Sequence, residues 1–569
     1  MTNWMHRKVK RYFPVWILGF LICMSATPAA NAQQSESFTL PARVGISGEV
    51  PMSLDDAIRM VLENNNAIAV SRIGREISAF GVSSSRGAFD PVFGLRSSIY
   101  RQVTPVSSTI GGSASGALEQ RAISIQPQVS GLLPWAGTAY QVSFSSARQT
   151  NDNAFTTLNP QYPASLSFSV TQPLGRNFRF DTARQGLAVS RKNQTLTFEQ
   201  LRQLLSDTVT QTVEAYADLV YANEFLKVEV DAVGLARNQV DSNQRMVDQG
   251  VSAPVDVIEA RTQLATFEQA VYAAQAQLTR AENSLKSLIL ANRDDPLWSS
   301  SLRPVTDLNL NAPSITLTDA IHDAISSRPE MTQMEISAEI NSLNTRLYRE
   351  QTKPQIDLVA GYTSAGLGGH PVIQGPNPFT SGFDPIIERL NELSNASGLS
   401  PLSSLSGFGT GGVPPLLNGG YGQSLNNLIN GNFPTAQVGV NISLPFRNRT
   451  AEANLGSSLA EGRRIQVQKD NLEQLIQSDV RSNMQAVDSS RLRLRAAVDT
   501  RNFAEQQYES EQRKFQSGTS TVFLVLDRQQ AMVRARILEL QAQTDLSKAI
   551  AELDRATART FSIHNITVQ

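Results

Sequence analysis

The sequence predicts a mainly helical chain with a smaller set of membrane-type β-strands, laid out as two internal repeats. Three observations carry that prediction. A short segment and the spacing after it recur at a fixed offset, two long stretches hold no proline and keep a regular apolar spacing, and one stretch in each half alternates apolar with small polar residues.

Residues 1–32 read as an export leader. Arg7, Lys8, Lys10 and Arg11 form a cationic start, Tyr12 to Met24 is a short apolar run, and Ala30-Asn31-Ala32 offers the small residues a signal peptidase needs. A retained anchor would need ~20 apolar residues, more than that run supplies. Cys23 is the only cysteine and follows Ile22 rather than a small residue, so lipid attachment is not expected there. The mature chain is therefore expected to begin at Gln33, with no thiol for a disulfide, a metal site or a nucleophile.

Removing the leader leaves 46 basic against 51 acidic side chains, a net of −5, which points to no nucleic-acid partner. Hydrophobic residues make up 41% of the chain, and no second stretch approaches the length of a membrane helix. Strands would have to do any membrane crossing.

Met52-Ser-Leu-Asp-Asp-Ala-Ile58 recurs as Ile315-Thr-Leu-Thr-Asp-Ala-Ile321, and Asp90-Pro91 recurs as Lys353-Pro354, both at an offset of 263. The expected division is a leader at 1–32, an N-terminal segment at 33–51, a first repeat at 52–292, a linker at 293–314, a second repeat at 315–560 and a tail at 561–569. Each repeat reads as a helix of about 35 residues, an extended region and a hairpin of two long helices, the hairpins at 175–292 and 446–560.

The long helices are predicted from missing prolines: none lies between Pro173 and Pro254 and none follows Pro445. An interior proline costs a helix about 3 kcal/mol, so such gaps suit unbroken helices. Ala260, Leu264, Phe267, Val271, Ala274, Leu278, Ala281, Leu285 and Leu288 alternate steps of four and three, the seam of a coiled coil. Leu201, Leu205, Val209, Val213, Tyr216 and Leu219 form a partner seam, and Leu472, Ile476, Val480, Met484 and Val487 repeat it in the second half.

Between these helices the period falls to two. Leu166, Phe168 and Val170 alternate with hydroxyls, and Val438, Val440, Ile442 and Leu444 alternate with small polar residues. One apolar and one small polar face is the pattern of a barrel strand between lipid and a watery lumen. Companion strands are expected at Val92 to Tyr100 and Gln355 to Tyr362, so the strands span about 92–172 in the first repeat and about 355–362 and 436–444 in the second. A further alternating pair lies at Arg121 to Leu132 and Thr138 to Ala147, in the barrel or beyond it. Residues 364–435 hold four charged side chains and many Gly, Pro, Asn and Ser, and read as a long loop with one helical turn around Pro385 to Ser394.

Chemistry-bearing motifs are missing. The mature chain has His322, His370 and His564, far apart and in different kinds of segment, with no phosphate-cradling loop, zinc spacing or nucleophile elbow. Neither an enzyme nor a cofactor is expected.

The order, duplication and spacing of four signatures resemble the outer-membrane efflux family represented by TolC, over almost all of the mature chain. These are the openings Ser53-Leu-Asp-Asp-Ala57 and Thr316-Leu-Thr-Asp-Ala320; the Arg328-Pro-Glu330 step; the junctions Gln172-Pro-Leu174 and Leu444-Pro-Phe446; and the turns Gln249-Gly-Val-Ser-Ala253 and Ser517-Gly-Thr-Ser-Thr521. The resemblance implies a homotrimer in which each subunit gives about four strands to one shared 12-stranded barrel in outer-membrane lipid. A coiled-helix tunnel would continue it through the periplasm. It also implies an inner-membrane pump as the driver, a periplasmic adaptor (membrane fusion protein) as the link, and cargo choice that lies with the pump.

The resemblance places a periplasmic gate at Asp256, Phe515, Leu524 and Asp527. Leu524 stands where an aspartate is common, Phe515 where a tyrosine is common and Ser520 where an arginine can occur, which removes partners for a polar latch. The turns Gly250-Val251-Ser252 and Gly518-Thr519-Ser520 are expected to be the adaptor-docking tips. Each joins two antiparallel helices, its glycine permits a positive φ, and small neighbours allow close approach. A periplasmic adaptor or structural rod also fits the heptads and the leader. It needs neither two-faced strands in both halves nor a polar loop as long as 364–435.

Overall fold

The computed structural model describes residues 40–106, 116–153, 155–372, 382–402 and 413–567, and the expected leader lies outside them. In the unit Met1–Val44 the described residues hold no helix or strand. The unit Gly45–Gln569 begins with β1 (Gly48–Met52), α1 (Leu54–Asn64) and α2 (Asn66–Arg86). Four strands follow: β2 (Val92–Pro105), β3 (Ala117–Leu132), β4 (Ala139–Asn151) and β5 (Leu158–Pro173). The hairpin of α3 (Thr182–Asp248) and α4 (Pro254–Ile289) leads to β6 (Ser300–Pro304), α5 (Leu317–Ser327), α6 (Pro329–Gln351) and β7 (Gln355–Pro371). Then come α7 (Asp384–Ala396), α8 (Tyr421–Ile429), β8 (Phe433–Ser443), the hairpin of α9 (Arg449–Gln516) and α10 (Val522–Ala556), and α11 (Thr560–Ile563).

Both helices expected at about 35 residues are instead broken in two. At Asn65 the backbone is extended, and the side chain accepts from the Ala67 and Ile68 amides while its own amide donates to the Leu288 carbonyl at 3.0 Å. A good cap can stop one helix and start the next. At Arg328 the cause is Pro329, which disfavours helical backbone in the residue before it.

The first proline-free stretch forms the single helix α3, and the second forms both arms of the hairpin α9–α10. At 1.5 Å per residue, the 67 residues of α3 extend about 100 Å. α3 packs along α4, α10, α2 and α6, while α9 packs along α10 and α6. Leu201, Leu205, Tyr216, Leu219, Leu278, Leu285 and Ile289 are buried together, so both first-half seams face one another as their spacing requires.

The short parallel pair β1–β6 has no sequence signal, because five residues carry too little pattern. Side chains from the long helices hold it. Tyr216 Oη donates to the Met52 carbonyl at 3.1 Å and accepts from the Thr306 amide at 2.9 Å. Buried Lys286 donates to the Trp298 carbonyl at 3.2 Å and also to the Ser300 carbonyl, and Glu282 accepts from the Leu302 amide at 3.3 Å.

Among the described residues, six strands form one antiparallel sheet in the order β2-β3-β4-β5-β7-β8, where the resemblance implies about four. The extra two are the β3–β4 hairpin, whose alternation alone fits a place in the barrel or beyond it. β7 runs on to Pro371, well past the expected end at 362, so the loop is shorter than 364–435. α7 has 13 residues rather than one turn, and α8 has no counterpart among the expected elements. α8 lies over β7 where the strand is smallest: a Cβ on Gly366 would collide with the Ser424 carbonyl oxygen, and Ser364 Oγ donates to the Leu428 carbonyl at 2.6 Å.

Asp554 in α10 is buried at 8% exposure with Oδ1 unpartnered, and burial pushes its carboxyl up to about 6 against the pull of Arg559. The folded state thus holds this proton more tightly than the unfolded state, whose carboxyl titrates near 3.9. This group's penalty is full above pH 6 and fades as pH falls through that window. Asp554→Asn is expected to raise the thermal unfolding temperature at pH 7.5, with the gain gone by pH 4. An unchanged temperature at pH 7.5 would mean that the charge is well solvated.

Candidate functional surfaces: the two-faced sheet and the helical tips

The ladder register turns the alternation of single strands into two continuous surfaces. Phe93 pairs with Val129, Val129 with Val142, Val142 with Phe168, Phe168 with Tyr362 and Tyr362 with Ala436, one row across six strands. The next row, one residue along, is Gly94, Gln128, Ser143, Ser167, Thr363 and Thr435. Successive side chains point to opposite faces, so the first row belongs to an apolar face and the second to a polar one. Leu95, Ile99, Ile123, Leu166, Val440 and Ile442 lie on the apolar face and are all exposed.

The apolar face ends at charges. Arg101 donates to Glu119 at 2.6 and 2.9 Å, and Arg121 donates to the same carboxylate. On the polar face the side chains bond sideways: Thr363 Oγ1 donates to Ser167 Oγ at 3.0 Å, and Ser98 and Ser124 share a bond of 2.7 Å.

Gly250 and Gly518 both have φ near +75°. At the first turn the Gly250 amide donates to the Val247 carbonyl at 2.9 Å and the Val251 amide to the Met246 carbonyl at 2.8 Å. The second repeats this, with Gly518 donating to Phe515 at 3.0 Å and Thr519 to Lys514 at 2.9 Å. This is the Schellman ending, in which a left-handed residue lets the last carbonyls find donors. Val251 is 75% exposed, and Gly250, Gly518 and Thr519 are exposed as well.

Each tip caps its outgoing helix differently. α4 begins at Ala253, which has no capping side chain, so Asp256 reaches back to accept from the Ala253 amide at 3.1 Å and from Ser252 Oγ. α10 begins at Thr521, whose hydroxyl accepts from the Leu524 amide at 3.5 Å. Asp256 and Leu524 hold the same position relative to their caps, so the second tip does without the carboxylate. Ser520 Oγ donates to Glu511, and that bond is the largest of the causes holding the Glu511 carboxyl below its ordinary range.

The proposed gate residues are distributed unevenly. Phe515 packs in a cluster with Ala260, Val522, Leu526 and Val240, which draws on all four long helices and places both tips at one end. Leu524 is exposed, and Asp527, 52% exposed, has Arg528 at 3.8 Å as a neighbour. The interlocking pairs Arg501–Glu539 at 2.6 Å and Arg536–Glu505 at 2.9 Å tie α9 to α10, and sequence reading missed them because the partners lie on different helices, far apart in the chain.

A Cβ on Gly250 or Gly518 meets no atom within 4 Å, so alanine there is opposed by backbone conformation alone. Gly250→Ala and Gly518→Ala are each expected to cost about 1 to 2 kcal/mol in thermal unfolding. Gly234→Ala, in the interior of α3 with equal room, is expected to stabilise by about 0.5 to 1 kcal/mol. Equal effects at all three sites would contradict this account.

Among the described residues no helix is long and apolar enough to cross a membrane, and no group of three or more His, Cys, Asp or Glu is placed to hold a metal. No curated protein sequence matches the chain. Solved structures do. It resembles the outer-membrane channel OprN at 14% identity with a TM-score of 0.59, over 89% of each chain. It resembles the CmeC outer membrane channel of Campylobacter jejuni at 14% identity with a TM-score of 0.58, over 89% of this chain and 86% of that one. The open state of the MtrE outer membrane channel of Neisseria gonorrhoeae matches at 14% identity with a TM-score of 0.55, over 89% and 88%. At such identity the likeness is one of fold. The sequence profile described as outer membrane efflux protein matches residues 138–289 and 415–559, more than half of the chain. The chain with its two-faced sheet and paired helical tips belongs to the outer membrane efflux protein family.

Proposed function

We propose that three copies of the chain close a single duct through the outer membrane and the periplasm, through which an inner-membrane pump drives cargo by way of a periplasmic adaptor. Family members are channels rather than enzymes, so the subunit has no catalytic step. The observation that carries the reading is the pair of adjacent rows, Phe93 to Ala436 and Gly94 to Thr435, apolar and polar across the whole sheet. From Phe93 to Arg101 the apolar face runs about 27 Å along the strand, and a tilt of about 40° makes this about 21 Å across a bilayer. That height suits the hydrocarbon band of a membrane barrel.

Self-association is supported at both flanks. Among the described residues β2 and β8 each lack a neighbour on one side, and open edges are not tolerated in lipid. α2, which leads into β2, exposes Val70, Ile73, Ile77 and Phe80; α9, which follows β8, exposes Leu459, Val467, Leu475 and Leu492. Joining β2 of one copy to β8 of the next brings one apolar helix row beside the other. The even strand number makes that junction antiparallel, like every other in the sheet. A periplasmic rod has no use for a two-faced sheet.

The tips supply the adaptor contact: two exposed, small-residue turns at one end of each subunit make six in a trimer. Asp527 and Leu524 line the narrow end beside them, and Phe515 braces it from within.

Phe168→Arg is expected to cost about 2 to 4 kcal/mol and to abolish folded trimer recovered from outer membranes, whereas Ser169→Arg is expected to be tolerated. Equal damage from the two changes would remove the barrel reading. The double variant Val251→Glu, Thr519→Glu keeps both glycines, so trimers are expected to form while export and adaptor crosslinking at the tips are lost. Normal export by that variant would leave the turns as mere helix reversals.

A further inference from the structure

We infer that the β3–β4 hairpin is part of the barrel wall, so that a threefold barrel of this chain has eighteen strands and a bore about half again as wide as a twelve-stranded one. The inference rests on the channel reading above. Its own support is the position of the hairpin: β3 and β4 sit between β2 and β5, not beside or above them. Val129 and Val142 continue the apolar row from Phe93 to Phe168, and Gln128 and Ser143 continue the polar row from Gly94 to Ser167. A hairpin standing clear of the membrane has no need to keep both rows in step.

The hairpin also spans the same height as its neighbours. Val92, the first residue of β2, pairs with Ser130, and Ala139, the first of β4, pairs with Thr171 near the end of β5. Its turn is seated on the junction between sheet and long helix. Thr138 Oγ1 donates to Gln172 Oε1, Gln172 Nε2 donates to the Ala136 carbonyl at 3.0 Å, and a Cβ on Gly137 would meet the Asn177 carbonyl oxygen at 2.8 Å.

Six strands per copy keep the antiparallel closure, and three copies then make eighteen. At about 4.8 Å per strand and a tilt of about 40°, opposite backbones stand roughly 36 Å apart, against roughly 24 Å for twelve strands. Among the described residues the polar face of the strands carries two charges, Arg96 and Asp357. A wall of serine, threonine and glutamine with so few charges forms no ionic filter.

Cys23, in the expected leader, is the one cysteine, so single cysteines in the mature protein can be labelled without background. Phe144→Cys, Ser143→Cys and Phe168→Cys, each carrying an environment-sensitive fluorophore, are reconstituted in vesicles containing nitroxide-bearing lipid. Quenching is expected at 144 and 168 and not at 143. Quenching at 168 without quenching at 144 overturns the inference and leaves the channel reading standing, and no quenching at either site overturns both. If Phe144→Cys does not assemble, electron cryomicroscopy of the unsubstituted trimer decides: eighteen strands in cross-section are expected, and twelve would overturn the inference.

Discussion

A strand has a period of two, so sliding any one of the six against its neighbour by a single residue would carry its apolar side chains to the polar face. The proposed channel depends on that slip not occurring. Phe168 is aligned with Val142 on one side and Tyr362 on the other, and Ser167 with Ser143 and Thr363, by the backbone ladder, to which the Thr363–Ser167 side-chain bond adds. Among the described residues the same ladder leaves β2 and β8 as open edges, and α2 and α9, the helices joined to them, expose apolar rows. On the proposed reading, membrane contact, lumen chemistry and the need for further copies all follow from one register.

The helical part solves a different problem, which is to hold shorter helices along two of about 100 Å without letting them slide. Apolar seams supply attraction, but a four-three repeat resembles itself after one heptad and specifies axial position poorly. Polar contacts at fixed heights supply what the seams lack. Arg328, almost fully buried, reaches Asp479 at 3.0 Å and Glu330 at 3.5 Å; Arg555 stands 3.8 Å from both Asp479 and Asp207 and 2.8 Å from Glu552. These groups come from α3, α6, α9, α10 and the break between α5 and α6. Paired charges in that setting select one alignment more than they add stability.

The tips are legible in the sequence because their chemistry is local: a glycine with positive φ, a helix before it and a capping residue after it all lie within a few positions. The residues proposed for the gate are less so. Asp256 matches a pattern for the gate, yet its carboxylate is engaged with the Ala253 amide and Ser252, a use that becomes visible only once Ala253 proves to be a cap without a side-chain acceptor. Phe515 packs against residues from both hairpins rather than from its own alone.

By itself, the sequence determined what depends on periodicity and on local stops: long proline-free helices, the seams that face each other, two-faced strands in both halves and glycine turns between the helices. Tertiary structure alone decided which strands are neighbours. Arg121 to Leu132 and Thr138 to Ala147 alternate no differently from strands elsewhere, and their places between β2 and β5 rest on hydrogen bonds between segments, which leave no periodic mark. The same holds for β1 and β6, which lie at opposite ends of the first repeat and are clamped by Tyr216, Glu282 and Lys286. Local patterns are written in the order of residues along the chain, whereas a pairing partner is fixed by where the rest of the fold carries it.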